Sequence, residues 1–99
     1  MNVTINSVKF DADKKLTDYI NNELKKVLKH YDGVIGAEVF LKLDNTPTTE
    51  NKISEIRLDI PGNELFVKKQ SRTFEEATDQ AVEALRRMVT KHKEKYRGI

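Results

Sequence analysis

The chain has 99 residues, 37% of them hydrophobic, which suffices for one modest core and leaves no room for a second domain. Cysteine is absent, removing disulfides, thiolate catalysis and cysteine-bound zinc, and no apolar run approaches the ~20 residues of a membrane span. Charged residues make up 34% of the chain for a net charge of only +2, so any electrostatic signal lies in their distribution. The opening residues Met1 to Val8 have neither a basic nor an apolar leader region and do not read as a secretory signal. Asn2 to Asn6 alternates polar and apolar, the period of a half-buried strand. Asp11 and Asp13 then offer N-caps to a stripe of Leu16, Tyr19, Ile20, Leu24, Val27, Leu28 and Tyr31. That spacing predicts a helix over 14–31, with Gly33 as its stop.

Alternation returns in a second strand, with Ala37, Val39, Leu41 and Leu43 on one face and Glu38, Phe40 and Lys42 on the other. Residues 44–51 form a polar turn around Pro47. Ile56, Leu58 and Ile60 mark a third strand, Pro61-Gly62-Asn63 a tight turn, and Leu65 to Gln70 a fourth strand. Thr73 and Glu76 have the spacing of a capping box. They open a second helix whose apolar positions are Phe74, Ala77, Ala81, Val82, Leu85, Met88 and Val89. The order β-α-β-β-β-α predicts an α+β fold of one domain, residues 1–99: a two-layer sandwich of a four-stranded sheet with both helices on one face. The first helix serves as a right-handed crossover between parallel strands one and two, and strands two to four form an antiparallel meander. The other sheet face, with Glu38, Phe40, Lys42, Glu55, Arg57, Asp59, Phe66 and Lys68, is expected to meet solvent.

Catalytic and metal chemistry find little support. His30 and His92 fall on different helices in no ligand spacing, and His92 continues the packed stripe of the second helix. Ser7, Ser54 and Ser71 lack a nucleophile context, and Gly33, Gly36, Gly62 and Gly98 form no phosphate loop. The acidic pairs Asp11/Asp13 and Glu75/Glu76 sit where they complement helix dipoles. No enzyme, cofactor or metal site is expected.

The cations carry more information. Residues 38–65 sum to −3 and residues 66–99 to +4, with +5 concentrated between 86 and 97. Arg87, Lys91 and Lys95 recur every four residues along one flank of the second helix's apolar stripe, and Arg86, Lys93 and Arg97 lie along the other. On the first helix Lys25 and Lys29 face away from the core with Lys15 and Lys26 at one side, while Lys68, Lys69 and Arg72 approach the second helix. Like charges four apart weaken a helix, and an anionic partner relieves that repulsion. A solvated helix face is the plainer reading of any such run. Rows of long cations suit phosphate spacing, which points the helical side toward RNA backbone and shape. Phe40 and Phe66 lack the motif context of an aromatic base-stacking sheet.

The closing helix, Thr73 to Lys95, resembles the ribosome hibernation promoting factor and ribosome-associated inhibitor A family, also called sigma-54 modulation proteins. The resemblance covers nearly the whole chain. Ala77, Asp79, Leu85, Arg87, Lys91, Lys93 and Lys95 match the family pattern, and Ser54 to Leu58 resembles one of its strands. Glu75, Ala84 and Glu23 depart from it. The resemblance implies a cytoplasmic protein of the short type whose partners are the small ribosomal subunit and its rRNA. It would occupy the space messenger and transfer RNA need near the decoding centre, and silence ribosomes in stationary phase or stress. The implied rRNA-binding residues are Arg87, Lys91 and Lys95, then Lys26, Lys29 and Lys93. Arg86, Lys25, Lys68, Lys69 and Arg72 join them from the charge pattern. Short members promote ribosome dimers with a helper protein; free in solution the chain is expected to be a monomer, without a membrane partner. Two alternatives stay open: a double-stranded-RNA-binding module of another role, and a protein-interaction module that modulates a transcription factor through the open sheet face.

Overall fold

The computed structural model describes residues 2–29, 31, 33–45 and 49–97, with the backbone alone for residues 2 and 92–97. Its elements are β1 (Asn2–Ser7), α1 (Lys14–Leu28), β2 (Gly36–Leu43), β3 (Lys52–Ile60), β4 (Asn63–Ser71) and α2 (Phe74–Arg97). The sheet runs β1-β2-β3-β4, with β1 and β2 parallel and the remaining pairs antiparallel, as the predicted order requires. Alternation sets the two faces. Ala37, Val39 and Leu41 of β2 lie beside Leu58, Ile56 and Ser54 of β3, and these six are buried beneath the helices. One cluster joins that face to Ile20, Leu24 and Val27 of α1 and to Ala81, Leu85 and Val89 of α2. Phe10 stacks on Phe74 with ring centroids 4.9 Å apart, tying the β1–α1 loop to the start of α2. Among the described residues no helix is long and apolar enough to cross a membrane.

Local chemistry explains where the elements begin and end. Asp13 caps α1 by accepting the Leu16 amide at 2.8 Å. The helix stops at Leu28, three residues before the periodicity suggests, because the Tyr31 amide turns back to the Leu28 carbonyl at 3.2 Å in a tighter turn. Gly33 is therefore not its cap. Its role is steric: a Cβ there would come within 2.9 Å of the Tyr31 ring. β3 starts at Lys52, earlier than its apolar alternation shows, because the buried helix-face position 54 is a serine whose hydroxyl accepts from Thr78 Oγ1 at 3.3 Å. Pro61 and Gly62 alone form the β3–β4 turn, and Gly62 takes the positive φ (74°) that a type II turn needs after proline. At α2 the Glu76 amide donates to Thr73 Oγ1 at 3.0 Å, but the Glu76 carboxylate turns to the Ser71 hydroxyl at 2.8 Å. Half of the expected capping box forms, and its other half anchors β4 to the helix.

On the open face Arg57 is paired with Glu38 and lies 3.9 Å from Glu64, and Lys42 reaches Glu55 at 3.1 Å. Phe66 remains 50% exposed there. Residues 46–48 at the tip of the polar turn, His30 and Gly98 lie outside the described residues, as does the side chain of His92.

Candidate nucleic-acid interface

The cations of the helical side fall into two groups that the sequence does not separate. Lys26 of α1 and Arg86 of α2 meet in a groove of about 390 Å³ between the helices, lined also by Tyr19, Glu23, Asp79 and Glu83. Each is already held there: Lys26 by Glu23 at 3.2 Å and Arg86 by Glu83 one turn earlier. Carboxylates therefore interrupt this flank. A cation paired in this way must exchange one anion for another, so it contributes less to binding phosphate.

The opposite flank of α2 is different. Arg87 shares a depression of about 350 Å³ with Lys69 of β4, Asp79, Gln80 and Glu83, and a second of about 500 Å³ with Glu83, Arg86, Thr90 and Lys91. No described carboxylate stands within ion-pair distance of Lys69, Arg87 or Lys91. Strand alternation makes this grouping: Lys69 faces the helices beside Ser54, whereas Lys68 lies across from Glu55 on the open face. Lys68 thus leaves the helical surface with which the sequence groups it. Arg72 is exposed between β4 and α2. Lys25 and Lys29 are exposed on α1 without a described carboxylate partner, and Lys14 is occupied by Asp18 at 3.3 Å. α2 continues unbroken to Arg97, which keeps positions 93 and 95 in helical register; their side chains lie outside the described residues.

One contact in the groove is invisible in the sequence. The Tyr19 hydroxyl donates to Asp79 Oδ1 at 2.6 Å, bridging α1 and α2 across 60 residues of chain. Tyr19 reads as the edge of an apolar stripe and Asp79 as an isolated acid in mid-helix; only packing brings them together. The hydrogen bond to Asp79, then burial and the nearby charges of Asp79, Glu23 and Glu75, push the phenol up to about 12. The protonated phenol is thus favoured on folding, and its contribution is complete below pH 10 and lost as pH rises through 12. A Tyr19→Phe variant is expected to lack a phenolate absorbance step near pH 12 that the wild type has. It should also be less stable at neutral pH by about 0.5 kcal/mol, because the bond is solvent-screened. Loss of a step near pH 10, the ordinary phenol value, in place of one near pH 12 would remove the bond.

Among the described residues no group of three or more histidines, cysteines or carboxylates is placed to hold a metal ion.

Comparison with known proteins matches the chain to a family. The family model described as Sigma 54 modulation protein / S30EA ribosomal protein matches residues 3–97. A protein of Pseudomonas putida named ribosome hibernation promoting factor is 28% identical over 99 residues, covering all of this chain and 93% of its own. Among solved structures, the N-terminal domain of Protein Y from Thermus thermophilus superposes with a TM-score of 0.79 at 25% identity, covering 93% of this chain and 99% of its own. A ribosomal subunit interface protein from Coxiella burnetii gives a TM-score of 0.83 at 15% identity, covering 94% and 98%, and supports the fold alone.

Proposed function

The chain belongs to the Sigma 54 modulation protein / S30EA ribosomal protein family, whose members are ribosome-associated factors, and from that premise we propose that it is a cytoplasmic ribosome hibernation factor. The whole chain acts as one domain. It binds the small subunit through its helical side, occupies the channel that messenger and transfer RNA need, and so represses translation in stationary phase or stress. Lys69, Arg87 and Lys91 form the principal phosphate-binding row, with Lys95 one turn further along α2 and Lys25, Lys29 and Arg72 extending it. Lys26, Arg86 and Lys93 are secondary, and Lys68 has no place in it. The observation that carries this reading is that no described carboxylate pairs with Lys69, Arg87 or Lys91, beside a groove where Glu23 and Glu83 hold Lys26 and Arg86. Nothing in the reading calls for catalysis; the mechanism is exclusion, with affinity supplied by counterion release.

Co-sedimentation on a density gradient tests it. The protein is expected to travel with the small subunit and with whole ribosomes at about one copy each, to inhibit translation in parallel, and to dissociate steeply as salt rises. Protein that stays at the top of the gradient at low salt would overturn the proposal. Binding to free duplex RNA as tight as to ribosomes would replace it with a generic duplex-binding role.

A further inference from the structure

β4 is the outer strand of the sheet, and among the described residues no strand pairs with its free edge. Ile60 and Asn63 close the two-residue turn, so Asn63, Leu65, Val67, Lys69 and Ser71 direct their peptide groups to β3. Glu64, Phe66, Lys68 and Gln70 direct theirs outward. The same four side chains lie on the open sheet face, where Phe66 is half exposed and Lys68 has no described carboxylate partner. Edge strands of this length are commonly guarded by lysine, and Lys68 reads that way in isolation.

We propose that the β4 edge is a self-recognition surface that pairs antiparallel with β4 of a second copy of this chain, centred on Phe66. A twofold axis at Phe66 sets Phe66 against its own copy and Glu64 against Lys68 of the partner, twice. All of these residues have outward peptide groups, so each facing pair exchanges both hydrogen bonds. On the helical face the same register places Leu65 against Val67, again twice. Neighbouring registers lose this match. One residue along each strand, Phe66 meets Lys68 and Glu64 meets Gln70; one further, Lys68 meets Lys68. Lys68 therefore selects a register as well as guarding the edge, because a like-signed or neutral strand gains nothing from it. The edge of β1 offers no such pattern: Thr4 and Asn6 on its open side are uncharged. The inference does not depend on ribosome binding, and it departs from the expectation of a free monomer. The paired area is small, so the dimer is weak and dependent on concentration.

Sedimentation equilibrium of the full chain, from about 10 µM to about 1 mM, is the test. The expected result is a mass rising from 11.4 kDa toward twice that value. Glu64→Lys and Lys68→Glu each convert both cross-strand pairs to like charges, and each is expected to weaken association about tenfold or more. The double variant E64K/K68E restores it. An equimolar mixture of the two single variants associates although neither does alone, because each strand then faces the opposite charge. Phe66→Thr, at a half-exposed site with little effect on folding, weakens association without altering charge. A wild type that remains a monomer up to 1 mM would overturn the proposal. So would single variants that dimerise as well as the wild type, or a mixture that stays monomeric while both variants retain their circular dichroism.

Discussion

The Arg87→Glu/Lys91→Glu chain is expected to remain folded and to lose ribosome binding, with affinity at least about 100-fold weaker at moderate salt. Both side chains are exposed on the flank of α2 away from its buried stripe of Ala77, Ala81, Leu85 and Val89, so reversal opens no cavity. Each reversal also replaces attraction to phosphate with repulsion, which is why the effect exceeds that of simple deletion. Contrasting positions locate the surface more sharply than one loss. Lys26→Gln and Arg86→Gln are expected to weaken binding only about threefold each, because Glu23 and Glu83 already hold those cations. Lys69→Glu should cost about tenfold and Lys68→Glu almost nothing, although the two are adjacent in sequence, because the pleat sends them to opposite faces. Competition binding to ribosomes at two salt concentrations measures all five. If Lys68→Glu lost as much as Lys69→Glu, the binding face would be misassigned; if the double reversal bound normally, the Arg87–Lys91 row would have no part in binding.

Those contrasts mark how far the sequence alone reaches. Periodicity carries element order, parallel and antiparallel pairing and the buried faces, because a core this small must draw on nearly every stripe residue. Leu43 shows the limit: it continues the buried alternation of β2 yet is 44% exposed, since it lies where the sheet ends. Element ends depend on single hydrogen bonds, such as Tyr31 to Leu28, that composition does not encode. Ser54 hides the start of β3 for a related reason. A polar residue in a buried position looks like a break in the pattern until its partner Thr78, on another element, is known.

The candidate site was legible as a list of cations and not as a surface. Helical spacing predicts Arg87, Lys91 and Lys95 on one flank, and α2 runs as a single continuous helix through all three positions. It cannot say which cations are free, since Glu83 reaches Arg86 through rotamers and α1 supplies Glu23 and Lys26 to the same groove. Nor can it separate Lys68 from Lys69 before the strand's phase is fixed. The family resemblance raises Arg87, Lys91 and Lys95 above the other cations, but is silent about pairing. The same holds for Tyr19 and Asp79, whose bond exists only once α1 and α2 are packed.

The largest effect on stability is expected from Leu85→Ala. Leu85 is 0% exposed and belongs to the cluster that unites α2 with Ile20 and Leu24 of α1 and with Ile56 and Leu58 of the sheet. Truncating it removes three methylene-sized groups and leaves a cavity that close packing on both sides prevents from collapsing. Such replacements cost about 3–4 kcal/mol, against a total of roughly 5–10 kcal/mol for a domain of this size. At roughly 4–6 °C per kcal/mol the melting temperature should fall by about 15–20 °C, with little change in the urea m-value because the surface exposed on unfolding is nearly the same. Its functional consequence differs in kind from charge reversal. Below its own melting temperature the Leu85→Ala chain still presents Lys69, Arg87 and Lys91 and should bind ribosomes within about twofold of the wild type, whereas above it binding vanishes with the fold. Binding measured across temperature therefore separates the two causes: the charge-reversed chain is inactive at every temperature and folded at most of them, while the Leu85→Ala chain is active wherever it is folded. A Leu85→Ala chain that melts within a few degrees of the wild type would mean that α2 is held by its rim contacts and not by this buried leucine.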